Sequence, residues 1–224
     1  PLSLFIGSAE AYAAWERALA ELRFGTAEPV RTVLPLADRR AKALTVPSEV
    51  NYCAQVYCLA DLPAVTTVLV ANYLNNTFFW DEIRAKGGAS VSATPYGVIG
   101  LTSFRDPHIA DTYAVFDRLP DWLESHLPQT EEIDSLIVST MSRYLYPQSK
   151  LEAGYAAVRR WLDGRTAADL QAEIQKVLHT NTADFIAVAD ALRTLNRRGE
   201  AVRAVLGGDK PIRASGLFAD ISEL

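Results

Sequence analysis

From Ala89 to Phe104 the sequence is rich in Val, Ile, Thr and Ser and is interrupted once, at Pro95-Tyr96-Gly97. Two β-type runs joined by so short a turn read as a β-hairpin, which requires an antiparallel or mixed sheet. The rest of the chain is arranged around that hairpin. Leu2 to Gly7 is a short strand-like run, and from Ala9 the spacing of Tyr12, Trp15, Leu19 and Leu22 predicts a helical face closed by Gly25. Residues 26–40 carry Pro29, Pro35 and Arg39-Arg40 and read as an exposed connection. Lys42 to Ala60 is β-rich, with Val46, Val50, Val56, Tyr52 and Tyr57, and breaks at Pro47-Ser48.

Ahead of the hairpin, Asp61 is the expected N-cap and Pro63 lies in the first turn of a long helix through Val65, Val68, Leu69, Tyr73, Phe79 and Ile83. That helix has to stop by Gly87-Gly88, and Arg105-Asp106-Pro107 closes the hairpin. Helical spacing then recurs around Tyr113 and Phe116, Leu136 and Met141, and Tyr155 and Leu162, the last ended by Gly164. Thr166 with Asp169 resembles a capping box, Thr182 starts another helix, and Glu200 to Leu206 reads as a final strand ended by Gly207-Gly208. The expected fold is therefore α+β: an antiparallel or mixed β-sheet covered by helices on one side, with a helical C-terminal part. No repeat or low-complexity linker divides residues 1–224, which read as a single domain.

Composition narrows the function classes. With 224 residues, 49% of them hydrophobic and 22% charged, the chain is long and apolar enough to bury a core and is not disordered. A net charge of -5 leaves no basic excess for phosphates, so neither a nucleic-acid partner nor an acidic membrane surface is expected. Apolar stretches such as 65–71 fall short of the about 20 residues needed to span a bilayer. The opening Pro1 to Ile6 has no initiator Met and no basic leader, so the chain reads as a segment cut from a longer one, with a cytoplasmic location expected.

Catalytic signatures are scarce. The three histidines, His108, His126 and His179, stand in no HxxEH pattern or its inverse, so no zinc site is expected in this domain. Cys53 and Cys58, an odd number of positions apart on one strand, should point to opposite faces, which prevents both local pairing and a shared metal; each reads as a buried, inert thiol. A free-standing cysteine hydrolase is the weakest reading. No GxSxG, GxxxxGK[ST] or GxGxxG run occurs. Asn75-Asn76-Thr77 matches a glycosylation sequon by chance, inside a predicted helix. Adjacent carboxylates such as Asp81-Glu82 and Glu131-Glu132 diverge on a helix, and the second pair complements the helix dipole. Trp80 and Tyr96 read as packing residues before they read as ligand platforms.

Chemistry concentrates in EIRAKGGAS, Glu82 to Ser90. Arg84 and Lys86 near a helix end precede two glycines, Gly87 and Gly88, that let the main chain approach a neighbour, and then a strand whose edge can add an extended peptide. Taken with Ser103-Phe104-Arg105-Asp106-Pro107 after the hairpin, this run resembles the C-terminal domain of the presequence-protease type of M16 metallopeptidases, in the insulinase/pitrilysin clan. Val50-Asn51-Tyr52 and Glu131 to Ser139 are similar as well, so the resemblance extends over most of residues 42–163.

The resemblance implies a domain of the LuxS/MPP-like metallohydrolase type, one of four enclosing a proteolytic chamber. Its partner would be a catalytic M16 domain of the same parent chain, which binds zinc on an HxxEH helix, and its ligand a peptide substrate. In such enzymes an arginine and a tyrosine of the last domain reach substrate: Arg84 falls on the arginine, but Ser90 stands where the tyrosine is expected. Tyr96, close to the hairpin tip, is the candidate replacement. The domain itself is expected to be inactive and to expose an apolar surface open to self-association when isolated. The alternative is a catalytically dead peptide- or protein-binding scaffold.

Overall fold

A computed structural model describes residues 3–22, 41–79, 88–93 and 97–224, with residues 88–93 and Arg143 described through their main chain. The chain divides into two compact units: residues 1–36 with 145–172, and residues 37–144 with 173–224.

In the smaller unit, helix α1 (Ala9–Glu21) is capped by Ser8, whose hydroxyl accepts from the Ala11 amide at 3.2 Å. Among the described residues before it, 3–8, none is in a strand. The Phe5 ring instead packs against Tyr12 and Trp15, with centroids 5.5 and 5.3 Å apart, and Ile6 occupies the space above Gly154, where a Cβ would lie 2.2 Å from Ile6 Cδ1. Neither α1 nor the helix that carries Gly154 has a fully buried residue.

The larger unit is built on strands β1 (Lys42–Thr45), β2 (Asn51–Cys58), β3 (Gly88–Ala93), β4 (Val98–Asp106), β5 (Val202–Gly207) and β6 (Asp220–Glu223), in the order β3-β4-β2-β5-β1-β6. β2 is antiparallel to β4 and β5, while β1 is parallel to β5 and β6, so the sheet is mixed. The expected hairpin is β3–β4. At its turn Gly97 adopts φ +70, and a Cβ there would come within 2.9 Å of the Leu59 carbonyl oxygen, so glycine is required on both counts.

Helices α2 (Ala64–Asn76), α3 (Ile109–Ser125), α4 (Thr130–Tyr144), the 173–178 turn of α6 (Ala167–Leu178), α7 (Thr182–Arg198) and α8 (Asp209–Ser215) belong with this sheet, and α5 (Lys150–Leu162) lies in the smaller unit. The sheet is covered by helices on one side. Along β2 the residues Asn51, Cys53, Gln55 and Tyr57 are buried towards the helices, alternating with half-buried Tyr52, Ala54 and Val56, as a half-covered strand requires. Tyr57, Tyr113, Phe116, Phe185 and Leu192 fill the layer between, each contributing about 1.5–3 kcal/mol through burial.

Local expectations at caps are met where polar side chains reach back to the main chain. Thr166 and Asp169 form the reciprocal bonds of a capping box, and Gly164 takes the left-handed conformation with φ +67. The α7 cap is Asn181, answered by Asp184.

Four further expectations are corrected. The N-cap position of α2 is Pro63 and not Asp61, which lies in a turn. The long helix is interrupted at Thr77, which has φ -123 and ψ -90, with its hydroxyl donating to the Tyr73 carbonyl and Asn76 Nδ2 donating to that of Asn72; Phe78 and Phe79 are helical again, and the expected continuation through Ile83 lies outside the described residues. The last strand is followed by a further short helix and strand, α8 and β6. Cys58 is exposed and only Cys53 is buried, because Cys58 ends β2 on the uncovered face.

Candidate functional site

The face of the sheet away from the helices is set by register. Across β2, Tyr52 pairs with Leu206, Ala54 with Ala204 and Thr102, and Val56 with Val202 and Gly100. Leu44 of β1 pairs with Leu206 and continues the same row. This face carries apolar side chains that stay in contact with solvent: Leu44 is 39% exposed, Val202 38% and Phe104 51%. A face of this kind binds something apolar more readily than one dotted with isolated leucines.

Its most specific feature lies at the end of the hairpin. From Cys53 to Asn51, β2 advances two residues, whereas β4 advances three from Ser103 to Asp106, so β4 contains a β-bulge. Ser103 and Asp106 are both buried beneath the sheet, and the two residues between them, Phe104 and Arg105, are therefore both turned to the open face, where both are exposed. Arg105 has φ 57, the one non-glycine residue with positive φ among those described. That conformation costs about 1–3 kcal/mol and persists only where the surroundings enforce it.

The enforcing contacts are polar and buried. Asn51, 1% exposed, donates from Nδ2 to the Asp106 carbonyl at 2.7 Å and accepts at Oδ1 from the Gly208 amide at 3.2 Å. The Asp106 carboxylate accepts from the His108 amide at 2.8 Å and from the Thr112 hydroxyl, which ties the bulge to the start of α3. Above them the Arg105 guanidinium sits over the Phe104 ring at 5.3 Å, and Tyr52 meets Phe104 edge-on with centroids 5.2 Å apart. Nothing in the composition or spacing of the sequence marks Arg105, Tyr52 and Asn51 as a cluster; Arg105-Asp106-Pro107 reads there as the end of a hairpin and, with Val50-Asn51-Tyr52, as part of the family resemblance.

Beneath the sheet a polar network joins β2 and β5 to α3 and α7. Gln55 donates to the Tyr57 hydroxyl and to Asp117, Tyr57 donates to Asn196 Oδ1 at 2.9 Å, and Arg203 bridges Gln55 Oε1 and the Asp117 carboxylate. Burial pushes the Tyr57 phenol up to about 12. Burial likewise pushes the Cys53 thiol up to about 12, so at neutral pH this cysteine is a protonated, unreactive group.

Of the residues singled out in the sequence, Gly88 and Ser90 lie on β3, in register with Phe104 and Thr102. Arg84, Gly87, Tyr96, Trp80 and the Asp81-Glu82 pair lie outside the described residues, as do Gly25 and the 26–40 connection. Nδ1 of His126 bonds to the Trp122 carbonyl and Nδ1 of His179 to that of Gln175. Among the described residues no three His, Cys, Asp or Glu side chains are grouped closely enough to hold a metal ion, so a zinc ion does not fit what is described of this chain. Among the same residues no helix is long and apolar enough to cross a membrane.

Comparison with known proteins finds sequence relatives among presequence proteases and a similar fold in peptidase domains. The family model described as "PreP C-terminal domain" matches residues 41–207. Presequence protease 1, chloroplastic/mitochondrial, of Arabidopsis thaliana is 27% identical over 186 residues, covering 79% of this chain and 17% of that protein. The mitochondrial presequence protease of Mus musculus is 30% identical over 115 residues, covering 49% of this chain and 11% of that protein. The chain thus spans less than a fifth of the length of these relatives. In fold it is similar to a protease from Helicobacter pylori, with a TM-score of 0.65 and 11% identity over 90% of this chain and 53% of that one. It is similar also to the inactive peptidase domain of a zinc protease from Bordetella parapertussis, with a TM-score of 0.53 and 14% identity over 72% of this chain and 92% of that one.

Proposed function

Since the chain belongs to the PreP C-terminal domain family, we propose that it is the non-catalytic domain of an M16-type zinc endopeptidase, forming part of the wall of a closed proteolytic chamber and contacting the peptide substrate. The observation that carries this reading is the sheet face that the described helices of the larger unit leave open, where solvent-accessible Leu44 on β1, Val202 on β5 and Phe104 on β4 lie. Such a face gives an extended, unfolded peptide apolar contact without demanding a sequence. Zinc is then held by a catalytic M16 domain elsewhere in the parent chain, and this domain's contribution is to hold and orient peptide.

Arg84 is assigned the direct contact with the substrate near the scissile bond, Gly87 and Gly88 the close approach of the main chain, and Ser90 the position where the family places a tyrosine. A serine hydroxyl donates the same kind of hydrogen bond as a phenol but reaches much less far, and loss of one donor to a developing oxyanion costs about 10²–10³ in rate. Tyr96 is the proposed stand-in. A Tyr96→Phe parent enzyme with an unchanged rate would remove that assignment.

Ser90 also favours a second reading, a scaffold that binds peptide or protein while the parent has lost its chemistry. The two are separated by the parent's own sequence, where an intact HxxEH supports the enzyme and its absence the scaffold. The test of the leading reading is direct: the 224-residue chain supplied with equimolar zinc should hydrolyse no peptide, while the parent protein should. Stoichiometric zinc binding with hydrolysis by the chain alone would overturn it.

A further inference from the structure

The geometry points to a carboxylate-recognition clasp, built from Arg105, Phe104 and Tyr52 on the open face, that takes a peptide carboxylate presented next to an apolar side chain. The inference rests on the reading of that face as the one turned to peptide.

Three observations converge. First, the extra residue in β4 breaks the alternation of the strand so that Phe104 and Arg105 emerge on the same side, which an ordinary strand forbids for neighbours. Second, Arg105 is held at φ 57 by a buried framework of Asn51, Asp106 and Thr112 that makes no use of its side chain. The framework leaves the Arg105 side chain outside the core, on the exposed face. Third, the guanidinium is placed and yet has no carboxylate partner among the described residues: its contact is with the face of the Phe104 ring. Lys42, which alternates with Leu44 onto the same face of β1, is by contrast paired with Asp220 at 3.8 Å.

A planar guanidinium stacked on a ring keeps its N–H edge free, and that edge matches the two oxygens of a carboxylate. The half-exposed Phe104 ring, backed edge-on by Tyr52, supplies apolar contact beside it. In an extended peptide, side chains two residues apart lie on one face roughly 6.5–7 Å apart. That is comparable to the 5.3 Å between the guanidinium and the Phe104 centroid. An acidic side chain two positions from an apolar one therefore fits, as does a C-terminal carboxylate next to an apolar last residue.

The test uses the 224-residue chain and three short acetylated peptides: one amidated and containing Phe-Ser-Asp, the same peptide with Asn in place of Asp, and a third ending in Phe with a free carboxylate. Affinities are measured by calorimetry for the wild type and for Arg105→Gln, Arg105→Lys and Leu44→Glu, with circular dichroism confirming that each variant is folded. The expected result is that wild type prefers a carboxylate peptide about tenfold over the Asn peptide, the effect of one charge-assisted bond. Arg105→Gln should bring the ratio to about 1, Arg105→Lys should retain part of it, and the carboxylate peptide that is preferred identifies the source. A preference untouched by Arg105→Gln, with all three peptides weakened by Leu44→Glu, overturns the clasp and leaves the face reading standing. Failure of every peptide to bind wild type overturns both.

Discussion

The double substitution Asn51→Ala with Gly207→Ala tests whether the buried clamp under the bulge is what orders this end of the sheet. Asn51→Ala deletes two hydrogen bonds and strands the Asp106 carbonyl and the Gly208 amide in a buried site. At about 1–3 kcal/mol for each unsatisfied group, the expected loss is about 2–6 kcal/mol. Gly207→Ala acts on the same clamp from the other side: a Cβ there would lie 2.1 Å from Asn51 Oδ1, 2.8 Å from its Cγ and 3.0 Å from its Cα. Relieving that overlap costs about 1–3 kcal/mol in strain, and more when Asn51 is pushed off its partners. Once Asn51 is alanine, the two closest clashing atoms are gone and only the 3.0 Å approach to Cα remains. Gly207→Ala should then cost about 1 kcal/mol, so the pair should be less damaging than the sum of the singles by about 2 kcal/mol. Urea unfolding of the four proteins, followed by circular dichroism, measures this. Additivity within about 0.5 kcal/mol would refute the clamp.

Other outcomes follow from the same geometry. Arg105→Gly should stabilise the fold by up to about 1 kcal/mol in urea midpoint, because relief of a left-handed arginine outweighs glycine's added unfolded-state entropy, and a lower midpoint would contradict it. At pH 8 a thiol reagent should titrate one cysteine, exposed Cys58, rapidly in the native protein and Cys53 only after unfolding; two fast equivalents would contradict the burial. Cys53 and Tyr57 are both raised in the folded state, from 9.0 and 10.0 to about 12, so their contribution is intact below pH 9 and is lost as pH rises towards 12. The urea midpoint should fall across that window, and Tyr57→Phe should flatten the part above pH 10; a midpoint independent of pH from 9 to 12 would refute this.

Much of the fold is legible in the residues because its signals are local. The hairpin follows from two β-type runs and Gly97, the caps from Thr166 with Asp169, and the opposed faces of Cys53 and Cys58 from an odd separation on one strand. What escapes reading depends on partners far along the chain. β6 shows no apolar alternation, since its four residues DISE are largely exposed and it exists only by pairing with β1. α8, seven residues long with a proline inside, is too short for helical periodicity to register. The break at Thr77 comes from side-chain bonds to Tyr73 and Asn72 within a helix whose composition is favourable throughout. The bulge is invisible for the same reason: its register is fixed by Asn51, 55 positions away from the Asp106 carbonyl it holds.

For the family assignment the sequence was sufficient: the EIRAKGGA and FRDP runs pointed to the same peptidase domain that the family comparison identifies. They pointed to Arg84 as the contact residue, whereas the described geometry adds the Arg105 cluster on the open face.

Peptide turnover by the parent protein with Arg84 replaced by alanine is the most direct measurement of the proposed role. On the proposed role Arg84 spends its side chain on substrate and not on packing, so kcat/KM for a peptide should fall by about 10²–10³ while Tm stays within a degree or two of wild type. Unchanged turnover, or a loss of stability that matches the loss of activity, would contradict the claim that this domain reaches across to substrate.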